Sequence, residues 1–386
     1  MHSALEHLYV HVPFCDGKCF YCAFYSVVAD AGEREAFASL PGRELRLLVG
    51  DGGSAPFGAP RTVYFGGGTP GLLGEDGMRA LADGLWQVLD RGRLEEWTVE
   101  LNPATTTPGL AETLRGMGVN RVSIGAQCFE DGVLRAIGRR HDAETTVRAV
   151  AALRTVGVQN LGLDLIAGLP GMDARRWRVT LERAVALGVA HLSVYALSLE
   201  AGTRLAARVA DGSVALPDAN AQLEALAEAE SFLTQAGFVR YEISNYARPG
   251  WECRHNLACW RGEDFLGLGP SAASRAGLRR WTNLADVREY ARSVAAGERP
   301  PRSEEETLDA AGDATERLVF GLRLNEGVDV ERFSVRHPAA APRMAGWAAT
   351  LARLEGQGVV ERTQGGSWRL TPRGREIGDA AMAELM

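Results

Sequence analysis

Cys15-Asp16-Gly17-Lys18-Cys19-Phe20-Tyr21-Cys22 decides how the rest of the chain is read. Three cysteines fall within eight residues, directly after the strand-like run His7-Leu-Tyr-Val-His-Val12. A loop of this spacing can gather three thiolates around one centre, and soft thiolates suit an iron–sulfur cluster or zinc better than a hard cation. A closed structural zinc site needs four ligands, and the next cysteine is Cys128. A four-iron cluster on three cysteines keeps one iron open to a non-protein ligand. The aromatic neighbours Phe14, Phe20, Tyr21, Phe24 and Tyr25 are expected to shield a redox centre from water.

Outward from this loop, the chain is built like an ordinary globular protein. Its 386 residues suffice to bury roughly 75% of the unfolded surface, in two or three domains at most. A formal charge of −7 gives no general pull toward nucleic acid or anionic membrane. Met1-His-Ser-Ala-Leu-Glu-His7 lacks an apolar signal region, and no run of about 18 apolar residues suggests a transmembrane helix. Six cysteines in a chain this long do not make a disulfide framework, so a cytoplasmic, thiol-reduced protein is expected.

Residues Gly32 to Val49 read as helix, with Pro41 placed to kink or split it, and Gly50 to Pro60 reads as loop. Arg61-Thr-Val-Tyr-Phe65 is a short strand running into Gly66-Gly-Gly-Thr-Pro70, and a helix follows near Gly77 to Leu89. A pattern then repeats: a helix ends on glycine, an apolar residue follows, and a strand begins. It occurs at Gly118-Val119, Gly157-Val158, Gly188-Val189 and Gly237-Phe238. Glycine past a helix end takes the left-handed cap without steric cost. The strands are Trp97–Leu101, Arg121–Gly125, Leu161–Ile166, Leu192–Leu197 and Val239–Ile243. Strands alternating with helices predict an α/β fold with a parallel sheet. Polar residues gather late in these strands (Thr69, Glu100, Asn102, Gln127, Asp164, Ser198, Glu200, Glu242, Ser244), where α/β barrels carry their sites. We expect three segments: a core over 1–274, a linker with one helix over 275–307, and a C-terminal module over 308–386. In the last, helices precede a hairpin around Gln364-Gly-Gly366, the order of a winged helix. No basic stripe marks it for DNA.

Cys-x3-Cys-x-Tyr-Cys-x-Phe, preceded by Leu8-Tyr-Val-His-Val-Pro-Phe14, resembles the radical S-adenosylmethionine (SAM) superfamily. More narrowly it resembles the branch containing oxygen-independent coproporphyrinogen III oxidases and HemW-type haem chaperones. The resemblance implies a partial (β/α)6 TIM-like barrel with a winged-helix-like α+β domain after it. It also implies a [4Fe-4S] cluster on Cys15, Cys19 and Cys22, with SAM on the open iron and an electron supplied by a small redox protein. Gly67, Gly68 and Thr69 match the motif that holds the amino-acid part of SAM. Glu100, Gln127, Arg139, Asp164 and Ala196 match further SAM-contacting positions, and Tyr9 and Tyr21 match positions near the cofactor. Read as residues alone, Asp164 among apolar neighbours must be paired if buried, and Arg139 is its candidate partner.

Within the branch, Phe24 stands where the oxidases carry a fourth cysteine. His255-Asn-Leu-Ala-Cys-Trp260 resembles the chaperones' His-Asn-x-x-Tyr-Trp segment, which is associated with haem. Cys259 replaces the tyrosine, and Gly267-Leu-Gly-Pro-Ser-Ala-Ala-Ser274 looks more like the oxidases. His255 and Cys259 are both of axial-ligand type. The resemblance thus implies a haem chaperone delivering haem to an acceptor protein. Its alternative is a radical SAM enzyme of the same fold, an oxidase or a methyltransferase.

Overall fold

The computed structural model describes residues 5–49 and 58–386. The glycine-rich loop expected over Gly50–Pro60 lies largely outside them. Two helices follow the cysteine loop, α1 (Ala31–Ala38) and α2 (Leu40–Val49). The expected single helix is split at Ser39 because Pro41, which has no N–H, sits in the first turn of α2, where none is needed.

Six strands run parallel: β1 (His7–Val12), β2 (Thr62–Gly67), β3 (Glu96–Leu101), β4 (Arg121–Gln127), β5 (Asn160–Ala167) and β6 (His191–Ala196). Between them lie α3 (Gly74–Trp86), α4 (Pro108–Met117), α5 (Asp131–Ala136), α6 (Ala143–Thr155) and α7 (Ala174–Ala186), followed by α8 (Arg204–Ala210) and α9 (Ala219–Gln235). The predicted glycine caps are present; Gly118 closes α4 at φ 101°. The strands' outer faces and the helices share one apolar core containing Trp97, Phe65, Leu81, Leu114, Ile124, Leu153 and Trp177. Their inner faces carry the polar residues.

Two expectations need correction. Val239–Ile243 is not a further parallel strand. Only β7 (Val239–Arg240) is extended, and the chain reverses into β8 (Asn245–Ala247), which pairs antiparallel with both β7 and β6. The Glu242 carboxylate causes the reversal by accepting from the Ser244 N–H and the Asn245 amide, each at 2.7 Å. Nor is 275–307 a linker with one helix. After α10 (Arg254–Trp260), β9 (Phe265–Leu268) joins β1 in parallel, and β10 (Ala273–Ala276), β11 (Arg279–Asn283) and β12 (Arg302–Thr307) extend the sheet antiparallel, with α11 (Val287–Ala295) between the last two. Opposed charges hold this edge: Arg280 faces Glu306 across β11 and β12.

A second apolar cluster contains Leu318, Leu322, Trp347, Leu351, Trp368 and Leu370. It is formed by α12 (Ala310–Leu322), α13 (Val330–Arg336), α14 (Met344–Gly356), the hairpin β13 (Val360–Arg362) and β14 (Trp368–Leu370), α15 (Pro372–Glu376) and α16 (Gly378–Ala383). The hairpin lies where the sequence puts it. Arg275 on β10 joins this module to the sheet through Asp313 and Glu316 of α12.

Candidate functional site

A cavity of 540 Å³ opens at the C-terminal ends of the parallel strands, under the cysteine loop. Cys15, Cys19 and Cys22 line it as free, half-buried thiols. The loop is pinned on both sides. The Cys15 N–H donates to the Val27 carbonyl at 3.0 Å, and the Phe20 N–H donates to the Ile137 carbonyl at 2.9 Å. Thr69 Oγ1 stands 3.7 Å from Cys15 Sγ, and the Arg139 guanidinium stands 3.6 Å from Cys19 Sγ. Burial pushes the Cys22 thiol up, and the neighbouring Cys19 and Cys15 push it the same way. Such a trio loses its protons readily only to a cationic centre that takes the negative charge. Three soft donors, with no fourth cysteine among the described residues that line the cavity, fit a cluster with one iron left for another ligand.

The shielding expected of the aromatics is only partial. Phe14 is buried against Phe37, and Phe20 lies beneath the Arg204 guanidinium. Tyr21 lines the cavity, but Phe24 is 71% exposed at its lip.

Each glycine of Gly66-Gly-Gly68 has its own physical reason. A side chain on Gly66 would meet the Glu100 carboxylate at 2.8 Å, and one on Gly68 would meet the Phe14 carbonyl at 2.6 Å. Gly67 sits at φ 100°, with the His11 ring 2.5 Å from where its Cβ would be. Its N–H donates to Glu100 Oε2 at 3.1 Å, and the Tyr64 hydroxyl donates to Oε1 at 2.6 Å. Burial raises Glu100 to about 7, against the pull of the Tyr64 bond. Asp164 is raised too, first by burial; it accepts from Ser123 Oγ at 3.1 Å. It does not pair with Arg139, whose Nη2 donates to the Gly125 carbonyl at 2.5 Å. Gln127 takes φ 64° where the register between β4 and β5 slips, and this turns it into the cavity.

Tyr21, Gly67, Gly68, Thr69, Glu100, Gln127, Arg139, Asp164 and Ala196 therefore line one cavity with the three cysteines. Two expected residues do not. Tyr9 lies a layer back, its hydroxyl 3.1 Å from His11 Nδ1. His255 is 5% exposed, its Nδ1 is 2.8 Å from Thr62 Oγ1, and its ring is tilted against Tyr64 with centroids 5.1 Å apart. The same threonine hydroxyl meets His7 Nδ1 at 2.9 Å. Glu96 accepts from the backbone N–H groups of Arg254 and His255, so α10 closes the bottom of the barrel. Burial lowers His255 to about 3 and holds it neutral. Cys259, on the same helix, lines a separate 310 Å³ cavity with Phe265, Trp281, Phe320 and several charged residues.

Sequence reasoning missed Tyr64, Arg121, Ser123, Ser193 and Asn256, which also line the main cavity. The signal was strand alternation: Arg121, Ser123, Gly125 and Gln127 share the inner face of β4.

The Radical SAM superfamily matches residues 9–184, and the HemN C-terminal domain matches residues 308–377. The heme chaperone HemW of Mycobacterium tuberculosis (strain ATCC 25618 / H37Rv) is 35% identical over 384 residues, covering 98% of this chain and 94% of that protein. The HemW of Lactococcus lactis subsp. lactis is 31% identical over 338 residues, covering 88% and 86%. The structure of coproporphyrinogen III oxidase (HemN) from Escherichia coli, described as a radical SAM enzyme, superposes with a TM-score of 0.82 over 99% of this chain and 90% of that one, at 24% identity. It shares the fold.

Proposed function

Because this chain belongs to the radical SAM superfamily and, within it, to the HemW family of haem chaperones, we propose that it binds haem together with a SAM-ligated [4Fe-4S] cluster and passes haem to an acceptor protein. The observation that carries the reading is that the three cysteines and the glycine-lined strand end open onto one cavity. When bound, the cluster supplies one electron and an open iron for SAM. Cys15, Cys19 and Cys22 hold it. Gly67, Gly68 and Thr69 present backbone to the amino-acid part of SAM, and Glu100, Gln127, Arg139, Asp164 and Ala196 hold the remainder. Tyr21 walls the pocket, and Tyr9 braces His11 behind it. The electron comes from a small redox protein.

Haem is assigned through the family. His255 reaches a haem iron only if α10 leaves the barrel floor, whereas Cys259 already faces a cavity. This sealed histidine favours a second reading, a radical SAM oxidase or methyltransferase of the same fold. The charge of −7 argues against nucleic acid as a partner. Among the described residues no helix is long and apolar enough to cross a membrane, and the free thiols suit the cytoplasm.

Anaerobic reconstitution with iron and sulfide, followed by separate titrations with haem and SAM, tests the proposal. Stoichiometric haem uptake and a four-iron signal lost in Cys15→Ser, Cys19→Ser and Cys22→Ser are expected. SAM-dependent decarboxylation or methylation without stable haem uptake would move the assignment to the enzyme.

A further inference from the structure

We propose that the solvent-facing side of the cysteine loop is the docking surface of a small acidic redox protein, which Lys18, Arg140 and Arg204 recognise by charge. This rests on the cluster reading above. From Asp16 to Phe20, every loop residue carries or touches a cation. Arg140 stands 3.7 Å from the Asp16 carboxylate and lies against Gly17, where a Cβ would meet its guanidinium at 3.3 Å. Lys18 supplies an ammonium itself. Arg139 stands 3.6 Å from the sulfur of Cys19. Arg204 and Arg208, both on α8, hold their guanidinium carbons 4.2 Å and 5.5 Å from the centre of the Phe20 ring. Of these arginines only Arg140 forms a salt bridge among the described residues. Hydrogen bonds fix α8 beside the loop. The Leu205 N–H donates to the Phe20 carbonyl at 2.7 Å, and Arg208 donates to the Ala136 carbonyl at 3.3 Å.

The patch reverses the charge of the molecule locally. The chain carries −7 overall, yet these contacts gather Lys18 and four arginines around one carboxylate, Asp16. Part of that excess balances the thiolates, and Arg139, half-buried at Cys19, has this inner role. Lys18, Arg140 and Arg204 are exposed. Exposed charge is screened from a buried centre and acts chiefly on the capture of a charged partner. Lys18 is the only lysine among the 42 lysine and arginine residues of the chain. Its compact, hydrated ammonium lacks the fork with which a guanidinium grips an acid. Glu200 also lines the cavity, but it accepts from the Ser198 hydroxyl. Lys18 and Phe20 flank Cys19 in the chain, so a protein seated on them is one residue from a cluster ligand. The step is the transfer of one electron: the partner is oxidised, the cluster is reduced, and no bond forms or breaks. The negative remainder of the chain repels a long polyanion such as nucleic acid, whereas a small protein meets the loop alone.

The probe is an acidic flavodoxin reduced to its hydroquinone, with reduced methyl viologen, a small cation, for comparison. In stopped-flow reduction of the reconstituted protein, the rate constant with flavodoxin is expected to fall steeply as salt is added. In the double variant Lys18→Glu with Arg204→Glu it is expected to be about tenfold lower at low salt, with four-iron absorption unchanged and the methyl viologen rate undiminished. A second readout needs no cluster. A carbodiimide joins a carboxylate directly to an amine, and Lys18 is the only side-chain amine. Peptide mass spectra are therefore expected to show the cross-link to flavodoxin at Lys18. Lys18→Arg should lose that cross-link and keep the rate. A flavodoxin rate that ignores salt, or that the double reversal leaves at the wild-type value, overturns the proposal. So does single-stranded DNA binding that the reversal abolishes while the flavodoxin rate is untouched. If the double variant does not load its cluster, the cross-link decides: its absence from wild-type Lys18 at low salt overturns the docking surface, and its presence supports it. If wild-type protein forms no four-iron cluster, the cluster reading fails, and the cross-link still judges the surface.

Discussion

Arg139 links the end of β4 to the cysteine loop: one arm of its guanidinium stands 3.6 Å from the sulfur of Cys19 and the other donates to the Gly125 carbonyl at 2.5 Å. A fixed positive charge beside a cluster sulfur stabilises the reduced, more negative state. Arg139→Met keeps the bulk and removes the charge. We expect its cluster to assemble and its reduction potential to fall by tens of millivolts, measured by redox titration with paramagnetic resonance. An unchanged potential would confine Arg139 to holding the loop.

Gly67 is the glycine with the narrowest tolerance in the SAM-facing turn. An alanine at this position would combine a left-handed backbone with a Cβ 2.5 Å from the His11 ring. Gly67→Ala should lower stability by about 1–3 kcal/mol in urea unfolding and weaken SAM binding, while Gly118→Ala, likewise left-handed at φ 101° but with only the tip of the Arg91 side chain 4.0 Å from the new Cβ, should cost less and leave binding alone. Equal effects from both would remove the steric argument.

His255 is the residue on which resemblance and packing point in different directions. With its ring against Tyr64 and its nitrogen on Thr62, it braces the barrel floor. His255→Ala should cost about 2–4 kcal/mol in urea unfolding, with the Soret maximum of bound haem unmoved in the folded fraction. A shifted Soret band at undiminished stability would make His255 the axial ligand.

Much of this was legible because short-range signals agreed. The helix-ending glycines and the apolar strands after them define the parallel sheet, and the polar residues at strand ends converge as barrel geometry requires. The failures came where a long-range pairing decided. Val239–Ile243 has strand composition, yet Glu242 folds the chain back onto Ser244. Glu305 and Glu306 fall in the stretch read as a linker because their partners Arg279 and Arg280 lie more than twenty residues earlier, in β11. The sequence places His255 beside Asn256 but does not tell that Asn256 faces the cavity while His255 packs behind it.

Glu44 gives the fold a pH dependence of defined sign. It is buried on α2 and accepts from the Gly269 N–H, the Tyr290 hydroxyl and the Asn283 amide, each at 2.8 Å. Burial nevertheless raises it from 4.5 to about 7. The folded state thus holds a proton that the unfolded state releases, so the contribution is full below about pH 4.5 and is lost as pH rises through about 7. Glu100 titrates in the same window, so the informative quantity is the difference from Glu44→Gln. Relative to that variant, wild type should lose about 3 kcal/mol in urea unfolding between pH 4.5 and pH 8. A constant difference would show that Glu44 does not titrate there.

Arg275 couples the C-terminal module to the sheet. It is buried on β10 and pairs with Asp313 and with Glu316 at 2.5 Å. Both carboxylates keep a second arginine, Arg317 at 2.8 Å for Asp313 and Arg280 for Glu316. Losing Arg275 therefore leaves them under-compensated rather than bare, which puts Arg275→Met near the lower end of the 3–5 kcal/mol typical of broken buried pairs, at about 3 kcal/mol. The loss falls on the contact between the two apolar clusters and not within either, so the module should open before the barrel does. Limited proteolysis should then release fragments from beyond residue 307 while a barrel-sized core persists, and SAM binding by that core should survive. Simultaneous digestion of both parts would mean that Arg275 stabilises the sheet itself.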